Sequence, residues 1–154
     1  MGTSVKVAVF VAALAWVGGA GTPLAAEDSP VGTWVRQGQT GETPMTMTIA
    51  AWGLRNTRLS YSAGQDGAVA TVADRLDGND SPVLVSRMPT RATVSITLDD
   101  RWHATALSKM DLRPVGISKW AFSTDFKTLT IENDFLQSAG GIPAGQTVET
   151  WTRQ

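Results

Sequence analysis

The chain has one imidazole, His103, which follows Asp99-Asp100-Arg101-Trp102. A histidine beside a carboxylate can act as a general base, with Asp99 or Asp100 orienting the ring. Where the ring points depends on the turn before it. A two- or four-residue turn sets His103 on the face of Val94, Ile96 and Leu98. A three-residue turn sets Trp102, Ala104 and Ala106 there and sends His103 outward, and the apolar matching favours this alternative. Neighbours at one strand end rarely form a catalytic pair, so His103 is a weak catalytic candidate and a rim histidine is the plainer reading.

Asp77, Asn79 and Asp80 cluster oxygens as a hard cation would want. The further ligands and closing Glu of a calcium loop are missing, however, and a hairpin turn explains Asp-Gly-Asn-Asp without a metal. Neither metal nor cofactor is expected. The aromatics say more. Trp52, Tyr61, Trp102, Trp120 and Trp151 are large rings that either fill a barrel core or line an apolar ligand cavity, with their polar tips orienting the ligand. Tyr61, Trp102 and Trp120 are the candidate ligand-binding rings. Nine of the 13 basic residues are arginines, and they are scattered. Arg58 and Arg75 are the candidates to point inward and meet an anionic head group, while Arg87 and Arg91, flanking Met88-Pro89-Thr90, read as a solvated loop. No serine lies in a Gly-x-Ser-x-Gly elbow, and Gly140-Gly141 precedes a proline rather than a helix, so no phosphate loop is present.

Composition narrows the classes further. The 154 residues carry 13 Lys+Arg against 14 Asp+Glu, a formal charge of −1, without the basic surplus of a nucleic-acid binder. The absence of cysteine excludes disulfides, thiolate metal sites and cysteine nucleophiles. Hydrophobic residues at 42% and charged residues at 18% suit a folded domain. Residues 1–26 read as a secretory signal peptide: Lys6, an apolar run from Val7 to Val17, then glycines, Pro23 and Leu24-Ala25-Ala26 before Glu27-Asp28. The apolar run is about half the roughly 20 residues a membrane span needs. The mature protein, residues 27–154, is thus expected to be one periplasmic or secreted domain without a membrane span.

The elements that would position these residues are strands. After Ala26 no window has helical apolar spacing, but short alternating segments recur. Met45, Met47 and Ile49 alternate with threonines, as do Leu59 and Tyr61 with polar residues. Val94, Ile96 and Leu98 follow, then Leu129 and Ile131, and a last strand runs from Val148 to Arg153. Turn chemistry separates them at 64–67, 77–80, 99–100, 123–125 and 139–143. About eight to ten antiparallel strands result, and closing into an up-and-down barrel hides their edges. A β-sandwich is the alternative.

Val31-Gly32-Thr33-Trp34 has the Gly-x-Trp start of a lipocalin or fatty-acid-binding barrel. With Asp77–Val83, Thr93–Ile96, Ser123–Ile131, Gly145–Val148 and the closing Arg153-Gln154, the chain resembles the small secreted lipocalin-like proteins of bacterial envelopes, mostly without assigned activity. The resemblance spans nearly all of residues 27–154, with matches at only some positions. It implies a barrel of eight or more strands, with Gly32 easing strand entry, Trp34 plugging one end and Arg153 covering the indole. These three are structural roles, and a desolvated Arg–Trp contact contributes roughly 1–2 kcal/mol. The chain departs from the pattern in a shorter segment after Trp34, in Leu76 where an aromatic is usual, and in Phe126 where the Ser-x-Asp-Gly-Lys turn has glycine. A left-handed Phe126 would cost on the order of 1–2 kcal/mol. The family is usually apolar at the position of His103, which favours an inward ring, against the apolar matching above.

The expected function is extracytoplasmic binding or transport of a small apolar or amphipathic molecule in the barrel. Two alternatives stand beside it. One is a small-molecule isomerase, cyclase or hydrolase working inside the cup through His103, Tyr61 or an inward carboxylate. The other is a structural or partner-binding envelope protein with a filled core, which would show an exposed apolar patch around Phe126 or Phe135.

Overall fold

The computed structural model describes residues 28–38, 44–54, 56–62, 68–138 and 143–154. The expected signal peptide, residues 1–26, lies outside the described residues. Ten strands follow in order: β1 (Gly32–Arg36), β2 (Thr46–Ala51), β3 (Thr57–Ser62), β4 (Val69–Asp74), β5 (Ser81–Val85), β6 (Met88–Leu98), β7 (His103–Met110), β8 (Arg113–Phe122), β9 (Thr128–Phe135) and β10 (Gly145–Arg153). Each pairs antiparallel with its sequence neighbours, and β1 pairs with β10, closing an up-and-down barrel. Closure excludes the sandwich, since no edge remains to separate two sheets.

Directly paired residues share a face, so the inner wall follows from register. Trp34 lies across from Met47, Met47 from Tyr61, and Leu59 from Val72. On the other side Ile96 faces Ala106, Ala104 faces Trp120, Trp120 faces Ile131, and Leu129 faces Trp151. These inward residues form the buried core. The outer wall is threonine-rich and carries Arg58, Lys119, Glu132 and Asp134 on its strands. A lipid-embedded barrel shows the reverse pattern, with an apolar outer band.

One end is sealed. Trp34 is fully buried and its indole N–H donates to Pro30 O at 2.9 Å. Arg153 lies opposite Trp34 in the β1–β10 register and donates from Nη1 to Ser29 O at 2.7 Å. Phe122 packs between Trp34 and Phe126, with ring centroids 5.7 and 5.8 Å away. Phe126 has φ of 52° and is 1% exposed, so its left-handed backbone is offset by burying a phenyl ring. Leu76 is a parallel case, with φ of 55° and 2% exposure. Its N–H donates to the buried carboxylate of Asp74, which also accepts from Ser81 Oγ at 2.7 Å.

Two expectations need correction. The stretch from Arg87 to Arg91 is solvated but is not all loop: Arg87 sits in a two-residue hairpin turn, Ser86-Arg87, with φ of 49° and 68°, and Arg91 sits within β6. Pro89 is accommodated because it lies at the exposed start of that strand, where a missing N–H costs little. An exposed patch centred on Phe126 is excluded by its burial. Phe135 is half-buried against Gly116, where an added Cβ would stand 3.5 Å from the Phe135 ring.

Candidate functional site at the open end of the barrel

The end opposite Trp34 gathers inward polar side chains. Arg36 ends β1, Tyr61 lies near the end of β3, and Glu149 and Trp151 alternate with outward residues on β10. Arg36 Nη2 is 3.4 Å from Glu149 Oε1, and the Trp151 indole N–H donates to Glu149 Oε2 at 3.1 Å. Tyr61 packs edge-on against Trp151, centroids 6.4 Å apart. Burial pushes the Tyr61 hydroxyl well above the usual tyrosine range, and the Glu149 charge adds to the shift. Tyr61 therefore stays a neutral donor at physiological pH, and its hydroxyl has no hydrogen-bond partner among the described residues.

A second polar group faces it from β8, β9 and β10. Ser118 Oγ donates to Asn133 Oδ1 at 2.6 Å, and Asn133 Nδ2 donates to Thr147 Oγ1 at 3.4 Å. The wall made by β7 and β8 is built of small side chains toward this end: Ala106, Ser108, Gly116 and Ser118. Val94, Ser108, Ser118 and Tyr61 point inward yet are only half-buried, so among the described residues nothing fully covers them at this end. Below them Trp120 stacks on Trp52 with centroids 6.2 Å apart. Its indole N–H is buried and has no partner in the structure.

The candidate residues fall into separate places. Tyr61 and Trp120 share the interior. Trp102 lies in the turn at the sealed end, half-buried against the core, with the Arg101 guanidinium 5.5 Å above its ring. Arg58 and Arg75 are corrected: both are exposed, Arg58 on the outer wall of β3 and Arg75 beyond β4. At this end the inward arginine is Arg36, whose alternation with Trp34 and Gly32 was the available signal. The inward carboxylate at this end is Glu149, two residues before Trp151 on the same face, while Asp74 lies inward at the sealed end.

His103 resolves to the outer wall. Asp99 N–H donates to His103 O and Leu98 pairs with Ala104, so the turn is Asp100-Arg101-Trp102, three residues long. Apolar matching decided the register. Asp100 receives His103 Nδ1 at 2.7 Å, and that bond, with the N–H of Trp102, holds its carboxyl below the usual carboxylate range. An outer cleft of about 250 Å³ adjoins His103, Lys119 and Glu132. The ring is thus separated by the wall from Tyr61, and a reaction inside the cup through His103 is excluded. Asp77 accepts from the N–H of Asn79 at 3.0 Å, and Asp80 holds Lys109 at 2.8 Å, so both serve the loop between β4 and β5.

Fold and site together define a closed ten-stranded antiparallel barrel with one sealed end and a polar ledge inside the other. No protein-family model, curated protein or solved structure matches the chain.

Proposed function

We propose that the protein binds a small, mostly apolar molecule inside the barrel, and that it works outside the cytoplasm after losing residues 1–26. The kinship with secreted bacterial lipocalin-like proteins belongs to this proposal. The observation that carries it is an unused buried donor in the interior, the Trp120 indole N–H, on the same inner wall as the half-buried Tyr61 hydroxyl. A buried donor left unpaired costs about 1–3 kcal/mol, a cost a ligand oxygen would remove. Arg36 and Glu149 neutralise one another, so a neutral or zwitterionic head group with carbonyl, ether or hydroxyl oxygen suits the site better than an anion. Aromatic and aliphatic side chains beneath would take the apolar part.

Native mass spectrometry of the protein purified from its own cell envelope tests this. A retained adduct that is lost in Tyr61→Phe or Trp120→Phe, with the fold intact, supports the carrier reading. Adduct-free protein that also takes up no hydrophobic dye would end it. The enzyme alternative has weaker support, because Glu149 is held by a cation and an indole, and Tyr61 is kept protonated.

A further inference from the structure

At the open end two hairpin tips stand side by side. Between β5 and β6 the tip is Ser86-Arg87, flanked by Val85 and Met88. Between β7 and β8 it is Asp111-Leu112, flanked by Met110 and Arg113. The tips are tied together, since Asp111 N–H donates to Arg91 O at 3.0 Å and Arg91 Nε reaches Asp111 Oδ1 at 2.6 Å.

Leu112 is anomalous. Its φ is 65°, a conformation that favours glycine or asparagine in a two-residue hairpin. Phe126 and Leu76 carry the same strain, but both are buried and gain from it. Leu112 is 79% exposed, the most exposed large hydrophobic residue among those described, and gains nothing within this chain. Met88 is 69% exposed and Met110 41%. Apolar side chains at this end are thus presented on tips rather than packed.

Charge at the tips is mostly positive. The two hairpins carry Arg87, Arg91 and Arg113 against the single carboxylate of Asp111, and Arg87 and Arg113 have no ion-pair partner among the described residues. Arg91 and Arg113 line an open cleft of about 540 Å³ together with Met110, Asp111 and Gln137. Cations beside exposed apolar tips match the layering of an anionic membrane surface, with phosphate outside and acyl chains within.

We propose that this end of the barrel docks on an anionic lipid bilayer. Leu112 and Met88 enter the headgroup–acyl boundary, and Arg87 and Arg113 engage lipid phosphates. The barrel mouth then faces the bilayer, so an apolar cargo could pass without crossing water. The docking itself does not depend on a cargo being bound.

The chain lacks cysteine, so Leu112→Cys accepts an environment-sensitive fluorophore at a single site, and Thr124→Cys places the same dye at the sealed end. The labelled full-length chains are mixed with vesicles of phosphatidylcholine alone or with phosphatidylglycerol. The expected result is a blue shift at position 112 with anionic vesicles and none at position 124. Arg113→Gln, in the Leu112→Cys background, should weaken vesicle binding about fivefold. No shift at position 112, or equal shifts at both positions, overturns the proposal. A shift that grows with protein concentration in the absence of vesicles identifies a second copy of the chain as the occupant, and overturns it as well.

Discussion

The stem of Arg153 runs across Gly32, with its Cδ 3.2 Å from where a β-carbon on Gly32 would stand. Gly32 itself has φ of 149°, which side-chain-bearing residues rarely adopt. One glycine thus lets an arginine cross the sealed end and reach Ser29, while the indole beside it reaches Pro30.

Gly32→Ala should therefore destabilise the barrel by about 1–3 kcal/mol, through backbone strain and displacement of the Arg153 stem. Urea unfolding followed by tryptophan fluorescence measures it. An unchanged midpoint would show that the crossing contributes nothing.

Phe126 sets two effects against each other. Phe126→Gly relieves a left-handed strain of roughly 1–2 kcal/mol but removes a buried ring, a loss of about 3–5 kcal/mol. Burial is the larger, so the variant should lose roughly 2–3 kcal/mol in chemical denaturation. A more stable variant would mean that the turn dominates.

Leu112→Gly should behave in the opposite way. The side chain is exposed, so strain relief meets no packing loss, and the Asp-Gly pair it creates suits the turn. A stability gain on the order of 0.5–1 kcal/mol in thermal or urea unfolding is expected, together with weaker vesicle binding. A destabilised variant would show that the leucine packs within the chain.

Tyr61 is the only tyrosine, so tyrosinate absorbance reports it alone. Its ionisation is raised above the ordinary value of 10.0, chiefly by burial. The unfolded chain releases this proton near pH 10 while the folded one keeps it. The contribution is complete below pH 10 and is lost as pH rises above it, with a slope of up to about 1.4 kcal/mol per pH unit. Stopped-flow titration should show no tyrosinate in the folded protein at pH 10.5 (about half a unit above the ordinary value). Tyr61→Phe should flatten that alkaline slope. Glu149→Gln removes the neighbouring negative charge, so tyrosinate should emerge at a lower pH than in the parent. Ionisation in the folded parent at the ordinary value would place Tyr61 in open solvent.

Much of the barrel was legible because strand alternation is a local signal. Met47 and Ile49, Leu59 and Tyr61, and Leu129 and Ile131 declare their strands and inner faces. Strands β4, β5 and β8 were harder to see. Val69–Asp74 is apolar on both faces, Pro82 interrupts β5, and β8 carries Pro114 and Gly116. Its inner face runs from Gly116 through Ser118 to Trp120 and Phe122, so half of it lacks the apolar residues that mark a strand.

The sequence by itself determined that the chain is all-β, without disulfides, since composition, period-two alternation and turn residues act over a few positions, while barrel closure rather than a sandwich was decided by the β1–β10 pairing. Tertiary structure alone decided which polar groups meet. The three-residue turn that turns His103 outward, the pairing of Arg36 with Glu149 across the closing β1–β10 seam, and the exposure of Leu112 all depend on register between strands. Register is set by the summed burial of a whole wall, and no single segment carries it.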